Sequence, residues 1–210
     1  MTTSKTFQHL SESKKHHFLE AAYQEFCLHD YESASITNMV KELGIAKGSV
    51  YQYFKDKKAL YEHLLTSAYE MLESLTIKAC PYQQEDDFFD WFTRYLIVQS
   101  KFQFSLPQYA LLFQHLEKKT EPETEEIHIE IETRWENGII FNFPSVSYDT
   151  KQVCSLLAVS PRLIFNQFIQ IHNVDIVEIV KQGESVDISG DELLASCTNW
   201  VKLLKHGIPV

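Results

Sequence analysis

Ser35–Phe54 reads SITNMVKELGIAKGSVYQYF, and these residues decide the fold. Ile36, Met39, Val40 and Leu43 recur at helical spacing, and Ser35 stands where an N-cap hydroxyl would accept from the first turn. Gly44 follows at the position that needs a left-handed backbone, and Ile45 can plug the corner. A second short helix is predicted from Lys47 to Tyr53, with Val50 and Phe54 as inward anchors. Two short helices joined by a glycine turn form a helix-turn-helix. The second carries Lys47, Gly48, Ser49, Tyr51, Gln52 and Tyr53. One cation, one gap for close approach and several neutral hydrogen-bonding groups suit a groove lined by phosphates and base edges.

Three segments together, AAYQEF at 21–26, GIAKGSVYQYF at 44–54 and KDKKAL at 55–60, closely resemble the DNA-binding core of the TetR family of repressors. The resemblance covers roughly the first third of the chain, the size of a single DNA-binding module. It implies an all-α fold, with a three-helix helix-turn-helix head and a larger helical body for ligand binding and dimerisation. It also implies a DNA-binding set of Lys47, Gly48, Ser49, Tyr51, Gln52, Tyr53 and Lys57. Lys57 and the tyrosine hydroxyls would meet phosphate, Lys47 and Gln52 would read bases, and Gly48 would admit the backbone closely. Three positions depart from the family pattern. Asp30 replaces a glycine before Tyr31, and its tolerance of a left-handed backbone would keep the turn. Val40 replaces an alanine, which widens the helix contact. Ala46 replaces the Ser or Thr N-cap of the recognition helix, a loss of about 1 kcal/mol.

Composition sets bounds on function. The formal net charge of −10 argues at first against nucleic acid. Its distribution argues otherwise: residues 1–60 hold eight lysines against seven acids, so the excess acid lies outside the helix-turn-helix. An acidic body behind a near-neutral head repels DNA everywhere except the reading face. No apolar run reaches a membrane span, and the N-terminal MTTSKTFQHLSESKK lacks the apolar core of a signal peptide, so a cytoplasmic location is expected. Cys27, Cys80, Cys154 and Cys197 lie far apart, which argues against a zinc site or a disulfide framework and for buried inert thiols. Cys80, beside Pro81, is the one to test as a redox sensor.

The expected domains are a mobile polar arm over 1–12, the helix-turn-helix domain over 13–60 and the body over 61–210. Ser11 or Ser13 caps a first helix running to about Leu28, with Phe18, Leu19, Ala22 and Phe26 inward. Lys14, Lys15, His16 and His17 at its start are either a solvated helix end or a phosphate contact. Asp56 caps a helix from Lys57 to Ala79. Nothing Gly- or Ser-rich separates head from body, so this helix is expected to couple effector and operator. Glu85–Phe104 and a shorter stretch after Pro107 read as helices. Glu123–Phe143 alternates Ile127, Ile129 and Ile131 like a strand, but Ile127, Ile131, Trp135 and Ile139 favour a long helix. Asp149–Ile171 keeps helical spacing, with Pro161 either starting a new helix or kinking one. Val174–Lys181 and Asp191–Leu204 complete the helices.

No P-loop, dinucleotide turn or nucleophile elbow is present, so no enzyme, cofactor or metal is expected. His128 and Glu132 at i, i+4 could be ligands, but a solvated acidic face explains them better. At 13% aromatic residues, the chain carries more rings than core alone needs. Phe88, Phe92, Tyr95, Tyr109, Phe113 and Trp135 are therefore candidates to line a pocket, with Gln114 and His115 as added polar contacts, for a lipophilic or cationic effector. Val153, Leu157, Ile164, Phe168, Leu193, Cys197, Trp200 and Leu204 form the apolar stripes of two helices that would pair with a second copy as a four-helix interface. These expectations add up to a ligand-responsive transcriptional regulator, a repressor, binding a palindromic operator in double-stranded DNA as a homodimer. The competing reading is a dimeric interaction protein of the same fold that has lost specific DNA binding.

Overall fold

The computed structural model describes residues 3–81, 87–116, 129, 133 and 150–206. The described secondary structure is helical: α1 Lys5–Gln8, α2 Glu12–Leu28, α3 Ile36–Leu43, α4 Lys47–Tyr53, α5 Lys57–Ala79, α6 Phe88–Ser105, α7 Pro107–Leu116, α8 Thr150–Ile171, α9 Ile176–Gln182 and α10 Gly190–His206. The chain divides into two compact units, Met1–Tyr69 with Gln108–Ile129, and Glu70–Pro107 with Glu130–Val210. Most of the long helix expected over 123–143 lies outside the described residues, as do His128, Glu132 and Trp135.

The first unit contains the helix-turn-helix. Ser35 caps α3 by accepting from Asn38 N–H, and Gly44 ends it at φ 64°. Ile45 N–H then bonds back to Val40 C=O at 3.2 Å, closing the corner. Val50 and Phe54 are buried as anchors, and Val40 is accommodated in the core. Asp30 keeps the α2–α3 turn by a different route from the one expected. Asn173 is the only non-glycine with positive φ among the described residues. Asp30 instead accepts from the Ser33 N–H at 3.0 Å and from the Ser33 hydroxyl, so its carboxylate organises the turn. The Glu25 carboxylate receives the Ser35 N–H at 2.6 Å, fastening the turn to α2.

Part of the expected 1–12 arm is folded. Ser4 caps α1, and Phe7 is only 5% exposed. One aromatic in a polar stretch leaves no periodic signal, yet it packs on Phe18, Phe54, Tyr53 and His63.

The second unit is built on α6, which packs against α8 and α10. Asp87 caps α6 by accepting from Phe89 and Asp90 N–H. At the end of α5, Trp91 Nε1–H donates to Cys80 C=O at 3.3 Å. The Cys80 thiol donates to Trp91 C=O at 3.8 Å. Cys80 is thus a buried fastening, and the redox-sensor expectation gives way because an oxidant would need access. Burial pushes the Cys27 thiol up to about 12 and the Cys197 thiol up to about 11, as inert core thiols require.

Pro161 neither starts a helix nor ends one: it lies inside α8. Proline has no N–H for the carbonyl four residues back, which is Leu157 C=O. The Tyr95 hydroxyl of α6 donates to that carbonyl at 3.2 Å, in a buried setting. A donor from another helix thus replaces the missing one. Tyr95→Phe should lower unfolding free energy by about 1–3 kcal/mol, because it strands a buried acceptor. In a Pro161→Ala background, where the restored backbone N–H can serve Leu157 C=O, the same change should cost measurably less. Urea unfolding of the four proteins checks this, and strictly additive effects would contradict the pairing.

Candidate nucleic-acid interface

The sequence supplies a seven-residue α4 with a weak start: Ala46 makes no side-chain cap bond. A helix this short is marginal alone, so its position depends on what its inner face meets. Phe54, just past its end, stacks on Phe18 with centroids 5.9 Å apart and rings 9° from parallel. It also meets Phe7 at 5.1 Å and His63 at 5.3 Å. Ser4 N–H donates to Tyr53 C=O at 3.1 Å, tying the N-terminal turn to the end of α4.

The predicted DNA set separates on this platform. Lys47, Gly48, Tyr51 and Gln52 are exposed, Tyr51 at 46%, and Ser49 is half-buried. Tyr53 turns inward instead: its ring packs edge-on to Phe18 at 5.4 Å and against Phe7. Lys47 Nζ donates to Thr37 Oγ1 at 3.1 Å, which joins the starts of α3 and α4 on one face. Thr37 and Asn38, both exposed, extend that face. The sequence reading missed them, although their position in the first turn of α3 was the available signal. Lys57 has internal work: its ammonium donates to Glu32 C=O at 3.1 Å and lies 4.8 Å from the centroid of the Tyr31 ring. At the start of α2, Lys15 pairs with Glu12 and His16 with Glu20, both through nearby helical positions.

Gly48 has no internal reason to be glycine. A Cβ built there meets nothing within 4 Å, and its φ is not positive. Glycine inside a helix costs about 1 kcal/mol relative to alanine, so the missing side chain leaves open space on the outer face at a cost to α4.

The residues expected to line an effector pocket fall in both units, and Trp135 lies outside the described residues. Phe92 and Tyr95 are buried core of the second unit, stacked with Phe88 and Trp91. Tyr95 commits its hydroxyl to Leu157. Tyr109 and Phe113 belong to the first unit, where Tyr109 meets Tyr23 and Phe113 meets Tyr69. Burial raises the phenol pKa of both Tyr23 and Tyr109, and Tyr23 donates to Leu64 C=O at 2.9 Å. His115 Nε2 is 2.9 Å from Cys27 C=O and so carries the proton it donates.

The residues of the expected dimer stripe divide by burial. Val153, Leu157, Ile164, Leu193 and Cys197 are buried within the subunit, and Phe168 packs on Phe104 and His172. Leu204 remains exposed and Trp200 half-exposed. Periodicity located the inner stripes of α8 and α10 and could not tell them from the outer ones. The outer stripe of α8 is Leu156, Val159 and Leu163, spaced three and four apart, and α10 adds Trp200 and Leu203.

Residues 18–64, which run from within α2 through α3 and α4 to the start of α5, match the family model described as bacterial regulatory proteins, tetR family. The head is thus similar to the DNA-binding domain of TetR-family regulators. It is 34% identical over 65 residues to an uncharacterized HTH-type transcriptional regulator, YdgC, of Bacillus subtilis (strain 168). That match spans 31% of this chain and about a third, 33%, of the relative. Solved TetR-like structures extend the likeness of fold to the body. A TetR family transcriptional regulator from Chloroflexus aurantiacus J-10-FL superposes with a TM-score of 0.74 at 24% identity, covering 99% of this chain and 98% of that one. The transcriptional regulator FadR from Bacillus subtilis, in complex with stearoyl-CoA, gives 0.64 at 14% identity, with 92% and 99% covered. None of the described helices is long and apolar enough to cross a membrane.

Proposed function

We propose that this protein is a TetR-family transcriptional regulator, a repressor, that binds a palindromic operator as a homodimer and releases it on binding a small effector. The observation that carries the reading is Gly48. A Cβ on its open outer face would meet nothing within 4 Å among the described residues, and it lies beside exposed Lys47, Tyr51 and Gln52 on a helix packed from below. A groove floor or phosphate approaching the backbone would use that gap. Lys47, with Thr37 beside it, and Gln52 are then the base readers, while Ser49 and Tyr51 contact phosphate. Lys57 donates one N–H to Glu32 C=O, holding the α2–α3 turn, and its ammonium keeps further N–H groups for phosphate. A lipophilic effector suits the aromatic body, and the FadR neighbour in complex with stearoyl-CoA supports that choice.

The dimer would form through the outer stripes, Leu156, Val159 and Leu163 of α8 with Trp200 and Leu203 of α10. Leu163 is 39% and Leu203 42% exposed, an apolar surface that a second copy would cover. Glutamate at both Leu163 and Leu203 should therefore halve the mass seen by light scattering while leaving the helical circular dichroism intact. A doubly substituted protein that keeps its dimer mass would place the interface elsewhere.

Gly48→Ala separates DNA reading from stability. It should raise stability by about 0.5–1 kcal/mol, since alanine is the better helix former. At the same time it should weaken binding to genomic fragments recovered with the wild-type protein. Gel shifts at fixed salt beside thermal melts check both arms. A variant more stable and equally tight on DNA would remove Gly48 from the interface and favour the interaction-protein reading.

A further inference from the structure

Lys47 occupies an unfavourable place for a lysine. It is the first residue of α4, a helix with no side-chain cap and no acid in its first turn. A cation there opposes the helix dipole. Lys15, Lys58 and Lys205 each face a carboxylate, of Glu12, Glu62 and Asp87. Lys47 donates instead to a hydroxyl, Thr37 Oγ1, at 3.1 Å. A hydroxyl directs an ammonium without cancelling its charge. That hydroxyl is not the cap of α3, because Ser35 already accepts from Asn38 N–H. Thr37 and Lys47 are both exposed. The other exposed residues of α4, Gly48, Tyr51 and Gln52, are uncharged, as is exposed Asn38 beside Thr37.

We propose that Thr37 is a positioning residue: its hydroxyl holds the Lys47 ammonium so that α4 reads guanine. The inference rests on the regulator reading above and names the base that Lys47 meets. A free lysine is a compact charge on a flexible four-carbon stem, able to follow any acceptor in the groove. Held at Thr37, it keeps two N–H groups in a restricted direction. Both donate, so the base edge opposite must accept. In the major groove guanine offers two adjacent acceptors, N7 and O6, whereas adenine sets an amine donor beside N7. Gly48, next in the chain, leaves space for that edge.

The test selects sites for the full chain from random double-stranded DNA. It then measures affinity at fixed salt for the selected duplex and for duplexes with each G·C pair changed to A·T in turn. Wild type should select a guanine in each half-site whose change to adenine weakens binding about tenfold or more. Thr37→Val keeps the side chain's shape and loses the hydroxyl. It should reduce that discrimination to about threefold or less, with the salt slope unchanged because no charge is lost. Thr37→Ser should restore the discrimination. In a Lys47→Ala background, Thr37→Val should change nothing further. Placing 7-deazaguanine, which lacks the N7 acceptor, at the same position should weaken wild type more than Thr37→Val, and this arm needs no Lys47 variant. Full discrimination by Thr37→Val, or an effect of Thr37→Val that persists without Lys47, overturns the positioning role and leaves the regulator reading in place. A selected site with no guanine at the position sensitive to Lys47→Ala overturns the base assignment. No selected sequence for wild type overturns the regulator reading, and this inference with it.

Discussion

The aromatic cluster of Phe7, Phe18, Tyr53, Phe54 and His63 is the constraint on which the head depends. The recognition helix has seven residues, no side-chain cap and an internal glycine. Each of those features works against a helix standing alone. The cluster supplies what the helix lacks, with aromatic pairs worth about 0.5–1.5 kcal/mol each beyond their buried area. Because the rings grip Phe54 and Tyr53 from one side, the opposite face is left to carry Lys47, Gly48, Tyr51 and Gln52. A poor helix on a good platform can carry residues chosen for its outer surface.

The body shows the same logic of a local defect made good from elsewhere. Pro161 removes a donor from the middle of α8, and Tyr95 restores one from α6. The bond fixes the register of α8 on α6 at the point where the helix is weakest. It also explains why a tyrosine that looks like pocket lining in the sequence is core in the structure. The hydroxyl has a backbone partner 62 residues away and is not open to an effector.

What could be read from sequence were features carried by neighbours in the chain. Ser35, Gly44, Val50 and Phe54 each signal their role within one or two helical turns, and each does in the structure what its position implies. Features that depend on distant partners were hidden. Phe7 is one aromatic among polar residues until Phe18 and Phe54 are beside it. Asp30 read as a backbone substitute for glycine, while its carboxylate in fact builds the turn with Ser33. On α8, Leu157 and Leu156 are equally apolar, and only the packing against α6 shows which faces inward. The candidate base readers Lys47 and Gln52 stood out because they lie on the short helix itself. Thr37, which Lys47 reaches, did not, because its nearness depends on the angle between α3 and α4.

In the proposed complex, α4 is presented to DNA as one of a two-fold pair. Hydroxyl-radical footprinting on a genomic fragment retained by the protein tests it most directly. A two-fold pair predicts two protected half-sites of related, inverted sequence, their centres about 10–10.5 base pairs or a multiple of one turn apart. A single asymmetric footprint would contradict the paired presentation, and protection indifferent to sequence would contradict reading by α4.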